Sequence, residues 1–144
     1  MFDLLFASKN KKLVSKLHKE HEKIVVLAEN ILAAYDQKDF KSLRKNLETL
    51  KELSLTHLMT EDVEFYNLVK DPKRTTAEIK KLVVEFDQNF GAIKLALIRF
   101  LDKYTDVKAN YSSEFIVEFK KIADVLSQRI SFEEANLYEV LKES

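Results

Sequence analysis

Leu55-Thr56-His57-Leu58-Met59-Thr60-Glu61-Asp62-Val63-Glu64-Phe65-Tyr66 is a helical stretch with a chemical anomaly in it. It contains no Gly or Pro, and its apolar residues recur at helical spacing. Read outward in both directions, Leu43, Leu47, Leu50, Ser54, His57, Glu61, Phe65 and Leu68 fall on one stripe at alternating steps of three and four. Residues at i and i+4 lie one above the other on a helix face. An imidazole and a carboxylate therefore enter the core side by side. A buried carboxylate is costly without a partner, so another part of the chain must supply one.

The rest of the chain has the composition of a helical bundle. It has 144 residues, the size of one domain, and we read 1–144 as a single unit. One Gly and one Pro argue for long helices with short connections rather than a sheet protein rich in turns. The 24 basic and 24 acidic residues cancel, which speaks against a nucleic-acid partner. The basic cluster Lys9, Lys11, Lys12, Lys16 and Lys19 reads as a solvated helix start. With no Cys, disulfides, thiolate metal sites and cysteine nucleophiles are excluded, and any metal must use His and carboxylate ligands. No apolar run approaches the roughly 20 residues that cross a bilayer. Met1-Phe2-Asp3-Leu4-Leu5-Phe6 is too short and acidic for a secretory signal, so the expected location is cytoplasmic, with this segment covering the bundle end or meeting a neighbour.

Four helices are expected. The first runs from about Asn10 to Asp36, with the stripe Leu13/Val14, Leu17, His21, Ile24, Ala28, Ile31 and Tyr35. The second runs from about Phe40 to Val69, capped by Asp39 and stopped by Asp71-Pro72. The third spans about Thr76 to Lys103, capped by Thr75 or Thr76 with Glu78 as a capping-box partner. Its seam is apolar, Asn89 is its polar residue best placed to turn inward, and Gly91 within it suggests close approach of a neighbour. After a polar loop over 105–111, the fourth begins at Ser112 or Ser113 and ends near Lys142. Its stripe is Phe115, Phe119, Ile122, Leu126, Arg129, Glu133, Leu137 and Val140/Leu141. The expected fold is all-α, an up-down-up-down antiparallel four-helix bundle.

Counting heights from the turns at about 1.5 Å per residue sets His21, His57, Glu61, Arg129 and Glu133 at one level, near Asp87 to Asn89 of the third helix. Two chemistries fit such a layer. Two imidazoles and two carboxylates suffice to hold iron, manganese or zinc. Alternatively, Arg129 pairs with Glu61, Glu133 or both, and the two His complete a metal-free network. Tyr66 and Tyr138 lie one turn beyond the layer and are expected to pack. Hydrolytic chemistry at Thr56, Thr60 or Ser131 lacks a nucleophile elbow or oxyanion hole, and no enzyme activity is expected.

Three segments carry a resemblance. Leu17-His18-Lys19-Glu20-His21-Glu22-Lys23-Ile24, His57-Leu58-Met59-Thr60-Glu61-Asp62 followed by Phe65-Tyr66, and Ile130-Ser131-Phe132-Glu133-Glu134 followed by Leu137-Tyr138 together resemble the bacterial hemerythrin-like (HHE cation-binding) family over nearly the whole chain. The resemblance implies a four-helix bundle with non-haem iron, and roles in oxygen binding and sensing, iron handling or stress responses. The matching ligand positions are His21, His57, Glu61 and Glu133; His18 lies off the pattern, in an outer or surface role. Two positions depart from it. The third helix offers only Glu85, Asp87, Gln88 or Asn89 where the family has His, and Arg129 stands four residues before Glu133 where another His belongs. The resemblance thus implies a reduced metal site, in which a di-iron centre, a single iron or no metal all stay open, with dioxygen or another small molecule as the ligand of a bound metal. The run Leu126-x-x-Arg129-Ile130-x-x-Glu133-Glu134 also resembles the last helix of anti-sigma regulators. The alternative function is thus a metal-free regulatory bundle that binds a protein partner, with Phe2, Leu4, Leu5 and Phe6 as candidate contacts.

Overall fold

A computed structural model describes residues 2–143, with side chains from residue 9 onward. Helix α1 spans Phe2–Asp36, α2 Phe40–Lys70 and α3 Ala77–Thr105. The fourth rod is composite: α4 covers Ser113–Phe132, a π turn covers Glu133–Leu137, and α5 covers Tyr138–Glu143. Each rod packs on the next, and the fourth closes back on α1, giving the expected four-helix bundle. Among the described residues, no helix is long and apolar enough to cross a membrane. The first helix begins earlier than its polar start suggested. The side chains of Phe2, Leu4, Leu5 and Phe6 lie outside the described residues.

Local chemistry sets the helix ends. Asp39 accepts the Ser42 amide at 3.2 Å and caps α2. Thr76 Oγ1 accepts the Ile79 amide and caps α3. Because Thr76 rather than Thr75 is the cap, Glu78 falls in the first turn one place short of a capping box, where its charge still favours the helix dipole. Ser112 caps α4 through the Glu114 amide. Asp71, held extended by Pro72, ends α2, and its carboxylate accepts the Lys73 amide. Tyr111 pins the last loop: its buried hydroxyl donates to the Tyr104 carbonyl at 2.7 Å and accepts from Arg44 Nε.

The apolar core is divided. One cluster, including Ile24, Leu47, Leu58, Phe100, Phe115 and Phe119, fills the end near the α1–α2 and α3–α4 connections. A second, with Leu17, Phe65, Leu68, Phe86, Leu137 and Leu141, fills the other end. Between them lies the layer of buried polar side chains: Glu20, His21, Ser54, His57, Glu61, Arg129 and Glu133.

Helix α3 departs from expectation in two ways. Asp87, Gln88 and Asn89 are all exposed, as is Glu85, and α3 meets the layer through Phe86 and Leu97 instead. Phe86 is adjacent to Asp87, so α3 meets the layer at the expected level but turns its apolar stripe inward and leaves 87–89 on the exposed side. Gly91 is exposed, and a Cβ built there meets nothing within 4 Å, so no neighbour approaches closely at that point.

Candidate metal centre

The centre is assembled by three rods. α1 contributes Glu20 and His21, α2 contributes His57 and Glu61, and the fourth rod contributes Arg129, Glu133, Glu134 and Tyr138. The four residues picked out as ligands, His21, His57, Glu61 and Glu133, are all buried, and each offers one ligand atom within 4.8 Å of the others. Ligands at about 2.0–2.2 Å from one ion lie at most about 4.4 Å apart, so the cluster has the span of a single-cation site that closes slightly.

The imidazoles are held from behind. His57 Nδ1 lies 2.9 Å from Glu20 Oε1, and His21 Nδ1 lies 3.0 Å from Glu134 Oε2. A carboxylate only accepts, so each ring carries its proton on Nδ1 and presents Nε2 to the interior. The two Nε2 atoms face each other at 2.9 Å. Two lone pairs at that separation repel unless a proton or a metal cation lies between them. Glu61 Oε1 is 3.1 Å from His57 Nε2, and Glu133 Oε1 is 3.6 Å from His21 Nε2. Both Glu61 Oε1 and Glu133 Oε2 are buried without a hydrogen-bond partner. Converging lone pairs with a carboxylate behind each imidazole form the donor arrangement of a metal site, so the residues present fit a cation.

Arg129 lies beside the same carboxylate oxygens and lines the same small void. Its Nη2 is 3.6 Å from Glu61 Oε1, its Nε is 3.8 Å from Glu133 Oε1, and its guanidinium covers the Phe86 ring at 4.8 Å. The ion-pair chemistry and the ligand chemistry thus share the same two carboxylates. These contacts are longer than good charge-assisted hydrogen bonds, and Arg129 Nε has no hydrogen-bond partner.

Proton affinities reflect the crowding. Burial raises Glu133, and the neighbouring Glu61 charge raises it further against the pull of Arg129, so it holds its proton. Burial works against the Glu61 charge, but hydrogen bonds from Glu133, His57 and Tyr138 outweigh it and hold Glu61 low. Burial disfavours charged His57 too, yet Glu61 and Glu20 raise it overall. His21 is lowered by burial and by His57, despite Glu134. Without a metal, then, proton binding is favoured at His57, whose Nε2 faces His21, and Glu133 is neutral.

Three participants were not legible beforehand. Glu20 and Glu134 are sequence neighbours of His21 and Glu133, and adjacent helical positions point apart, yet both reach the outer ring nitrogens from the flanks. The signal was an acidic residue directly beside each candidate ligand. Tyr138 was expected to pack one turn away. Instead its hydroxyl lies 2.6 Å from Glu61 Oε2 and 3.0 Å from His21 Nε2. His18 stays outside, half-exposed, 3.4 Å from Glu134 and edge-on to Tyr138. Tyr66 is exposed, Thr60 bonds its hydroxyl to the Thr56 carbonyl, and exposed Ser131 is away from the centre.

A bundle whose core is cut by a His/carboxylate cluster, with each imidazole backed by a carboxylate, defines a class: helical proteins built to hold a cation in their interior. The family model for the hemerythrin HHE cation binding domain matches residues 12–141, and the chain belongs to that family. Comparison with curated proteins and with solved structures found no match.

Proposed function

We propose that this chain is a non-haem iron protein with a single cation held by His21, His57, Glu61 and Glu133, and that it binds a small ligand or reports redox state rather than catalysing a reaction on an organic substrate. The observation that carries the reading is the pair of imidazoles whose Nε2 atoms face each other at 2.9 Å while each Nδ1 is committed to a carboxylate. Two imidazoles with carboxylates suit iron(II) among the available cations. Iron bound there would supply a redox couple and an affinity for dioxygen or a comparable small molecule.

The chain's own residues set the limits. Arg129 keeps a fixed positive charge beside the carboxylates and opposes a second cation, and α3 brings only apolar side chains to the layer; both favour one ion over two. The void at the centre is about 10 Å³, walled by Ile24, Leu58, Leu97, Leu126 and Ile130. A single water needs roughly 10–15 Å³, so the site has room for a diatomic ligand only after small side-chain movements. That size supports ligand binding or sensing over chemistry on a larger substrate.

Metal analysis of protein purified from iron-replete cells is expected to give about one iron per chain, in line with a single four-ligand cluster. His57→Ala and Glu61→Ala are expected to abolish it while the helical circular dichroism persists. Wild-type protein that stays metal-free after anaerobic reconstitution with ferrous iron would sink the reading.

One observation favours a second reading, a metal-free regulatory bundle with a protein partner. Arg129 already lies beside both carboxylates, so the layer has an internal counter-charge. That reading expects the same reconstitution to fail and a partner to be recovered with the apo bundle.

A further inference from the structure

We propose that Tyr138 is a positioning residue of the metal centre: the π turn brings its hydroxyl to Glu61, where it engages Oε2 and leaves Oε1 as the oxygen that would ligate a cation. The proposal rests on the reading of the cluster as a metal site. In an α-helix, residue 138 would lie well away from the face that carries Glu133. Between Glu133 and Leu137 the chain makes i→i+5 bonds instead, and the Tyr138 amide donates to the Glu133 carbonyl. Five residues complete what nearly four would otherwise do, so Tyr138 comes round onto the Glu133 face. The Asn136 side chain donates to the Phe132 carbonyl at 3.1 Å and supports the widened turn.

Tyr138 is fully buried, and its ring stacks on His21 at 5.3 Å between centroids. Its O–H donates to Glu61 Oε2 at 2.6 Å, a short charge-assisted bond. Glu61 Oε1 has no hydrogen-bond partner and lies 3.1 Å from His57 Nε2, on the side where the ligand atoms converge. Tyr138 thus ties back one carboxylate oxygen, and the other faces His57 Nε2, with Arg129 Nη2 3.6 Å away. A residue that only filled space would not need a hydroxyl at this point, nor a π turn to deliver it.

Cobalt(II) is a suitable probe, because its visible absorption reports the number and arrangement of its ligands. Tyr138→Phe keeps the ring and removes only the oxygen. We expect it to keep its helical circular dichroism, bind Co²⁺ about ten-fold more weakly than wild type, as outer hydrogen-bond partners of metal ligands typically do, and shift the visible bands as Glu61 reorients. If wild type binds Co²⁺ and Tyr138→Phe matches it in affinity and bands, the positioning role is overturned and the metal site stands. Unfolding of Tyr138→Phe that saturating Co²⁺ does not reverse would also overturn it, since the hydroxyl would then serve the fold. If wild type itself takes up no Co²⁺, the metal site falls and this role falls with it.

Discussion

At position 129 a guanidinium occupies the core where an apolar side chain would cost less. Its neighbours explain it: in the metal-free protein Glu61 is a buried carboxylate beside a neutral Glu133, and Arg129 offsets the Glu61 charge. Removing one partner of a buried ion pair typically costs about 3–5 kcal/mol, because the other charge is left uncompensated. Arg129→Met is therefore expected to destabilise the metal-free protein by about 3 kcal/mol. The same substitution removes a positive charge beside the cation, so metal affinity should rise. Urea unfolding of both proteins, with and without saturating metal, checks both signs. A variant that lost stability and metal affinity together would show that Arg129 orients the carboxylates rather than balancing them.

At the scale of the element, α3 and the fourth rod behave in opposite ways. α3 is a regular helix whose one irregular residue, Gly91, serves no contact. Its free surface makes Gly91→Ala a stabilising change of about 1 kcal/mol, the difference in helix propensity. Thermal unfolding should show a rise, and a fall would mean that α3 needs local flexibility there. The fourth rod is irregular where the centre requires it. The π turn adds Tyr138 to the buried face that Glu133 and Leu137 already share, which an α-helical register would not do. Among the described residues, Lys38 at φ 57° is the non-glycine residue in the left-handed region, at the turn that lets α2 fold back beside α1.

For the whole molecule, folding, protonation and metal binding are linked. In the metal-free protein His57 is raised above its ordinary 6.5, so its contribution to stability is full below pH 6.5 and is lost as pH rises through its folded value. Glu133, raised above its ordinary 4.5, acts in the same sense on the way to alkaline pH. Glu61, held below 4.5, contributes stability above that value and loses it as pH falls. Metal-free protein should therefore be most stable in mildly acidic solution. A cation at the centre competes with protons for His57 and Glu133. Binding is expected to release protons, and apparent affinity is expected to rise from about pH 6 to about pH 8. Calorimetric titration in buffers of different ionisation enthalpy measures the release directly. A pH-independent affinity would count against ligation by these two groups. Stabilisation by saturating metal should also grow over that range, since it follows the ratio of free metal to dissociation constant.

Helix number and order were legible in the sequence, and the caps to within a residue, because they follow from local rules: apolar spacing, Asp39, Thr75 or Thr76, and Ser112 or Ser113 at N-termini, and Pro72 at a stop. The buried polar layer was legible too, since His21, His57, Glu61, Arg129 and Glu133 interrupt otherwise apolar stripes, and a stripe must face the core. Only the tertiary structure decided how those five meet. It set α3 against the layer with the apolar stripe residues Phe86 and Leu97 and left Asn89 exposed, because which flank residue turns inward depends on how the helix is rotated against its neighbours. It recruited Glu20 and Glu134, because side-chain reach from a flank depends on how each helix is rotated. And it brought in Tyr138 through a π turn, a backbone choice that tertiary contacts around the centre stabilise and that α-helical spacing alone would place on the wrong face.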